Sequence, residues 1–172
     1  KSMVISGGGM GIIKFISLEE LNTYLDKNEI KEPIMLQEFS NGYDIGCNVL
    51  CYKGKILAYT LQKGFLYENK PFAPQVGLSF FKNNEVLSEI HKLMESLNWD
   101  GVANIDMICN PNTETFEILE INPRFWLTVD ASALAGVNFP YLYILQGMGL
   151  QFTLPTYKLD KYINLKGLYL LM

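Results

Sequence analysis

"VANIDMICNPNTETFEILEINPR", residues 102–124, predicts a β-hairpin with polar side chains clustered at one end. The turn residues "NPNTE" separate two runs that alternate apolar and polar side chains, as strands do when one face is buried. If the turn is centred within these five residues, opposed positions have numbers that sum to about 226. This register pairs Asp106 with Glu120 and Asn104 with Asn122.

Alternation along each strand puts these four polar side chains on one face of the hairpin. Directly opposed side chains begin roughly 5 Å apart, which suits oxygen ligands around one or two Mg²⁺ ions. Opposed carboxylates repel one another unless a cation lies between them. The neighbouring positions are apolar, which indicates burial: Val102, Ile108, Phe116 and Ile118. A solvated hairpin end with ordinary polar residues is the alternative.

The first twelve residues, "KSMVISGGGMGI", predict a second hairpin with a glycine-rich tip. Backbone amides of such a tip can surround phosphate oxygens, because glycine allows close approach and positive φ. The spacing does not match G-x-G-x-x-G, since Ile12 and Lys14 stand where the third glycine would fall. It does not match a P-loop either, because a strand rather than a helix is expected after it. A flexible hairpin tip without a ligand is the alternative.

Composition narrows the classes of function. The net charge is −4 and lysine and arginine are not clustered, which argues against a nucleic-acid surface. Apolar runs are shorter than the roughly 18–20 residues that span a bilayer, so no membrane association is expected. The three cysteines form no C-x-x-C pair, and we expect reduced thiols in a cytoplasmic protein, with Cys47 and Cys51 packed in the core.

The remaining elements indicate an α+β fold. Ser17 and Glu20 have capping-box spacing ahead of a helix that ends near Asn28. A hairpin is expected across Lys53-Gly54, and an amphipathic helix over "NEVLSEIHKLMESLN". A loop or helix follows from Thr128, and a short helix over "FPYLYILQG".

Three further segments carry expectations. "GIIKFI" and "IMLQEF" are predicted strands. Residues 64–81 contain Pro71 and Pro74, and we expect a substrate or lid loop there. An edge strand is the alternative.

Four of these motifs, in this order, resemble the ATP-grasp family of carboxylate ligases. Lys1 followed by "SGGGMGI" is similar to the phosphate-covering loop, and "LQEFSNGYD" to the adenine-binding hinge. "ANID" and "EINPR" resemble the metal-binding strands. The resemblance covers nearly the whole chain and implies an ATP-grasp fold. Residues 1–34 would be part of the small subdomain with the glycine loop, and residues 35–172 the larger antiparallel subdomain.

The resemblance also implies roles for individual residues. The nucleotide would be bound by Lys1, the glycines Gly7, Gly8, Gly9 and Gly11, the backbone of Gln37, Glu38 and Phe39, and Asp44 at the ribose. Mg²⁺, with Mn²⁺ as an alternative, would be held by Asp106, Glu120 and Asn122. Arg124 would steady an acyl phosphate. Asn104 stands where several members have a phosphate-binding arginine, and Lys63 is the candidate replacement, with an exposed strand-end lysine as its alternative.

The implied reaction is ATP-dependent activation of a small carboxylate as an acyl phosphate, which an amine or similar nucleophile displaces. The "EINPR" form is closest to carbamoyl-phosphate-synthase-like and amino-acid-ligase members. A kinase on the same scaffold and a nucleotide-binding module without turnover are the alternatives. Members carry a further domain before the glycine loop, so we expect a fragment with weak or no activity alone. A homodimer is left open.

Overall fold

Four helices and six strands lie within the residues that a computed structural model describes, which are 11–67 and 75–164. In chain order they are α1 (Leu18–Lys27), β1 (Tyr43–Tyr52), β2 (Lys55–Tyr67), β3 (Gln75–Phe81), α2 (Asn84–Ser96), β4 (Gly101–Cys109), β5 (Phe116–Asn122), α3 (Val129–Ala135), α4 (Phe139–Gly147) and β6 (Lys161–Ile163). The strands form one antiparallel sheet in the order β5-β4-β1-β2-β3-β6. The predicted α+β class is confirmed.

Side-chain alternation gives the sheet two faces. On the face that we call the α2 face, Ile45, Cys47 and Val49 of β1 pack with apolar residues of α2. On the opposite face, which we call the α3 face, Leu50 and other sheet residues pack with residues of α3, α4 and the segments beside them. Because successive residues point to opposite faces, the ladder alone assigns each strand side chain to one of the two.

The helices begin and end largely as the sequence predicts. The Ser17 hydroxyl accepts from the backbone N–H of Glu20 at 3.1 Å and caps α1. At the start of α2 the Asn83 side chain accepts from two backbone N–H groups. This helix buries the apolar stripe Val86, Ile90 and Met94. Each cap satisfies N–H groups that have no partner inside the helix.

Two predicted strands are wrong in the described residues. "IMLQEF" forms only an isolated bridge at Ile34, and the rest is irregular and exposed. Residues 12–15 of "GIIKFI" are irregular as well. A strand needs a hydrogen-bonding neighbour, and sequence composition does not supply one. The first half of the glycine hairpin lies outside the described residues.

The loop predicted over residues 64–81 is also wrong where the structure describes it. Strand β2 continues to Tyr67 and β3 begins at Gln75, while residues 68–74 lie outside the described part. Val76, Leu78 and Phe80 are buried at every second position, which is the pattern of a strand with one covered face. Pro71 and Pro74 favoured a loop, although both precede the alternating residues. Strand β3 is an inner strand, because β6 pairs on its outer side.

Cys47 and Cys51 are fully buried, as predicted, and Cys109 is partly buried. No helix among the described residues is both long enough and apolar enough to cross a membrane.

Candidate functional site

The β4–β5 hairpin has the predicted register at its polar end. Asp106 lies opposite Glu120, and Asn104 lies opposite Asn122. A bulge beyond Asp106 leaves Leu119 without a partner and shifts the remaining pairs by one residue. The bulge lies outside the four polar positions, so all of them point to the α3 face together.

Hydrogen bonds join these side chains into one group. The Asn122 amide nitrogen donates to Asp106 Oδ2 at 3.0 Å and to Glu120 Oε1 at 3.3 Å. Arg124 Nη2 donates to Asn122 Oδ1 at 3.1 Å, and Nη1 donates to the backbone oxygen of Phe125 at 3.3 Å. Two carboxylates, one amide and one guanidinium therefore meet at the end of the hairpin.

The Asp106 carboxyl is electrostatically strained. Burial, the larger cause, and the charge of Glu120 raise its pKa from 3.8 to about 6. Arg124 and hydrogen bonds from Asn104 and Asn122 lower the pKa but do not cancel these effects. A cation at this position would relieve the strain, since it favours the charged carboxylate.

The donor set fits Mg²⁺ in the company of a phosphate. Among the described residues no group of three or more His, Cys, Asp and Glu side chains could hold a metal, so the site offers two carboxylates and an amide. Mg²⁺ is commonly bound by one or two carboxylates, with phosphate oxygens and water completing its octahedron. The Asn122 amide nitrogen bridges Asp106 and Glu120, so both carboxylates face one point, as ligands of a shared cation would. The residues fit a metal that arrives with a nucleotide.

A buried polar network beside the acids was missed by sequence reasoning. Asn104 Nδ2 donates to Asn48 Oδ1 at 3.0 Å, and Asn48 Nδ2 donates to both Thr60 and Gln62 at 3.1 Å. The Thr60 hydroxyl lies 3.4 Å from that of Ser132 in α3. Asn48, Thr60 and Gln62 were predicted only as strand residues, whereas Asn104 was already predicted beside the acids. The signal for the network is polar residues at alternate positions of β1, β2 and β4, all facing the α3 face.

Asp44 and Lys63 lie on opposite faces of the sheet. Asp44 is two residues from Gly46, which pairs with Asp106, so Asp44 shares the α3 face with the acids. Desolvation by surrounding protein raises the pKa of its carboxyl. Lys63 pairs with Ile45 of the α2 face, and its Nζ lies 5.9 Å from the centre of the Tyr43 ring. The structure does not bring Lys63 to the carboxylates.

The predicted hinge is exposed and irregular. Gln37, Glu38 and Phe39 are exposed, and Lys14 Nζ lies 3.4 Å from the centre of the Phe39 ring. The next residue, Ser40, donates to a carboxylate oxygen of Glu117 in β5. This contact ties the hinge to the strand that carries Glu120.

The glycine loop is largely outside the described residues, which exclude Lys1, Gly7, Gly8 and Gly9. Gly11 is described and is exposed in a turn with a φ of 72°. This left-handed conformation favours glycine. The loop's contact with a ligand stays a prediction.

Comparison with known proteins agrees with the fold. A family model described as "ATP-grasp in the biosynthetic pathway with Ter operon" matches residues 31–163. Comparison with curated protein sequences found no match.

Three solved structures share the fold. Biotin carboxylase from Campylobacter jejuni, a complex with β-γ-ATP, has a TM-score of 0.52 and 13% identity over 72% of this chain and 29% of its own. Phosphoribosylglycinamide synthetase from Anaerococcus prevotii has a TM-score of 0.53 and 18% identity, and the match covers 66% of this chain and 31% of the synthetase. The third is the biotin carboxylase domain dimer of Hydrogenobacter thermophilus 2-oxoglutarate carboxylase, in complex with Mg-ADP, ADP and bicarbonate. Its TM-score is 0.51 with 13% identity, and the match covers 65% of this chain and 26% of that protein.

The chain spans less than a third of the length of each of these three proteins. At these identities the likeness shows the fold. The family match covers well over half of the chain, and the chain belongs to the ATP-grasp family.

Proposed function

We propose that this chain is the nucleotide- and metal-binding part of an ATP-dependent ligase that activates a carboxylate. The observation that carries the proposal is a pair of carboxylates, the half-buried Asp106 and the exposed Glu120, bridged by Asn122 and flanked by Arg124. Neighbours of the same fold include structures with β-γ-ATP and with Mg-ADP. In this proposal residues 35–172 are the larger subdomain and residues 1–34 part of the smaller one.

The chemistry expected at this site is phosphoryl transfer to a substrate carboxylate. A carboxylate oxygen attacks the γ-phosphorus of ATP, ADP leaves, and an acyl phosphate results. An amine then attacks the acyl carbon and phosphate leaves, so that a C–N bond forms. Phosphoryl transfer needs positioning and charge neutralisation more than covalent help from the protein.

Each site residue has a proposed part in this reaction. Asp106, Glu120 and Asn122 would hold Mg²⁺, which when bound draws negative charge from the phosphoryl oxygens. The Arg124 guanidinium, exposed beside Asn122, would bind the oxygens of the acyl phosphate. Asp44 would accept hydrogen bonds from the ribose hydroxyls. The exposed hinge would bind adenine through its backbone.

Calorimetric titration with ADP and with a non-hydrolysable ATP analogue, each with and without Mg²⁺, tests the proposal. We expect binding that depends on Mg²⁺ and is lost in an Asp106→Asn, Glu120→Gln variant. An Asp26→Asn, Glu95→Gln variant is the matched control, because it removes two exposed carboxylates elsewhere. Nucleotide binding that ignores both Mg²⁺ and the Asp106, Glu120 variant would refute the metal site. Analysis of products from the full-length protein then distinguishes an amide from a phosphomonoester.

A further inference from the structure

The side chain of Gln62 lies on the same face of the sheet as the carboxylate pair, with Gly46 between it and Asp106. It lies in one cross-strand row with Gly46 and Asp106 on the α3 face, and only 7% of it is exposed. A Cβ added to Gly46 would lie 3.5 Å from Gln62 Nε2 and 3.8 Å from Asn104 Nδ2. Because Gly46 has no side chain, Gln62 Nε2 and Asn104 Nδ2 both border the space that a Gly46 side chain would fill.

The hydrogen-bond network fixes which end of the Gln62 amide faces Asn48. An ionised Asp106 carboxylate can only accept, so Asn104 turns its nitrogen toward it. The same nitrogen donates to Asn48 Oδ1, which leaves Asn48 Nδ2 to donate to Gln62 Oε1. Gln62 Nε2 therefore points away from Asn48. Reversing one of these amides alone would place two donors or two acceptors against each other.

The Gln62 side-chain nitrogen, Nε2, is a hydrogen-bond donor that is available to a ligand. Within residues 11–67 and 75–164 it has no hydrogen-bond acceptor, although its own oxygen is bonded to Asn48. It differs from the indole nitrogens of Trp99 and Trp126, which are sealed inside the protein without partners. Gln62 Nε2 is not sealed in this way, so a bound ligand can supply its acceptor in place of water.

We infer that Gln62 Nε2 donates a hydrogen bond to an oxygen of the terminal phosphoryl group of a bound nucleotide. The inference rests on the proposed function, since Mg²⁺ on Asp106 and Glu120 brings that phosphoryl group to this row. The inferred hydrogen bond would also replace the phosphate contact of the arginine that several family members have at the position of Asn104. Lys63 lies on the α2 face, so a neutral amide, aligned by Asn48, supplies the contact that a cation would otherwise make.

The test compares the affinities of the full chain for Mg-ADP and for the Mg complex of a non-hydrolysable ATP analogue. Gln62→Met removes the donor at similar size, and we expect the preference for the triphosphate to fall about tenfold while Mg-ADP binds as before. Thr60→Val is the matched control: it breaks the other hydrogen bond from Asn48 and leaves the Gln62 donor in place. Its triphosphate preference should equal that of the wild type.

A second variant guards against misfolding. Gln62→Glu keeps the oxygen that accepts from Asn48 and replaces the donor with an acceptor, so above neutral pH it should show the same loss. An unchanged preference in a folded Gln62 variant would overturn the inference, as would an equal loss in Thr60→Val or an equal loss of both nucleotides. If the wild-type chain binds neither nucleotide, the proposed function itself is refuted, and the inference falls with it.

Discussion

Replacing Asp106 by asparagine should stabilise the fold at neutral pH while removing a ligand of the proposed metal site. The pKa of Asp106 is raised from 3.8 to about 6, which corresponds to at most about 3 kcal/mol of free energy. Below pH 3.8 the carboxyl is protonated in both states and has no effect. Between pH 3.8 and 6 it ionises first in the unfolded state, so stability falls as pH rises. Above pH 6 the full cost is present.

Urea unfolding of wild-type protein and Asp106→Asn at several pH values measures this cost. The stability difference in favour of the variant should be near zero at pH 4 and grow to about 3 kcal/mol by pH 7. Because other groups titrate alike in both proteins, their contributions cancel in the difference. Glu120→Gln should lower the pKa of Asp106, since the Glu120 charge is one of the causes of the rise. A difference that is independent of pH, or a variant less stable at pH 7, would refute the reasoning.

Three further predictions concern parts of the fold around the site. Lys63→Met should leave Mg-nucleotide affinity unchanged by calorimetry, because Lys63 lies on the α2 face; a large loss would contradict that assignment. Ser17→Ala should cost about 1 kcal/mol locally, seen as faster amide exchange in α1, which buries no residue, with the global unfolding midpoint unchanged. Phe139→Ala should destabilise the protein by about 3–5 kcal/mol in urea unfolding, since Phe139 is fully buried and its ring centre lies 4.8 Å from that of Trp126; Tyr141→Ala, at an exposed position, should have little effect.

Local patterns were enough to predict the hairpin that carries the acids. The turn residues "NPNTE" and the alternation on either side set the pairing of Asp106 with Glu120, and the structure has this pair. Register at that end depends on neighbours close in sequence, so it can be counted from the turn. The bulge at Leu119 could not be counted, because it depends on how β5 fits against β4.

Two segments outside this hairpin were predicted less well. Residues 34–39 have the composition of a strand but form only an isolated bridge at Ile34, while β3 was predicted as a loop because of two prolines nearby. A strand forms only where another segment pairs with it, and composition does not say which segments will find such a neighbour.

By itself, the sequence determined the α+β class, the family resemblance, the two main helices, and the acids, amide and arginine of the hairpin. These depend on local spacing and side-chain chemistry. Only the tertiary structure decided that Lys63 faces away from the acids and that Gln62 faces them, although the two are adjacent in the chain. The physical reason is that adjacent strand residues point to opposite faces, and which face is functional depends on the pairing of β1 with both β2 and β4.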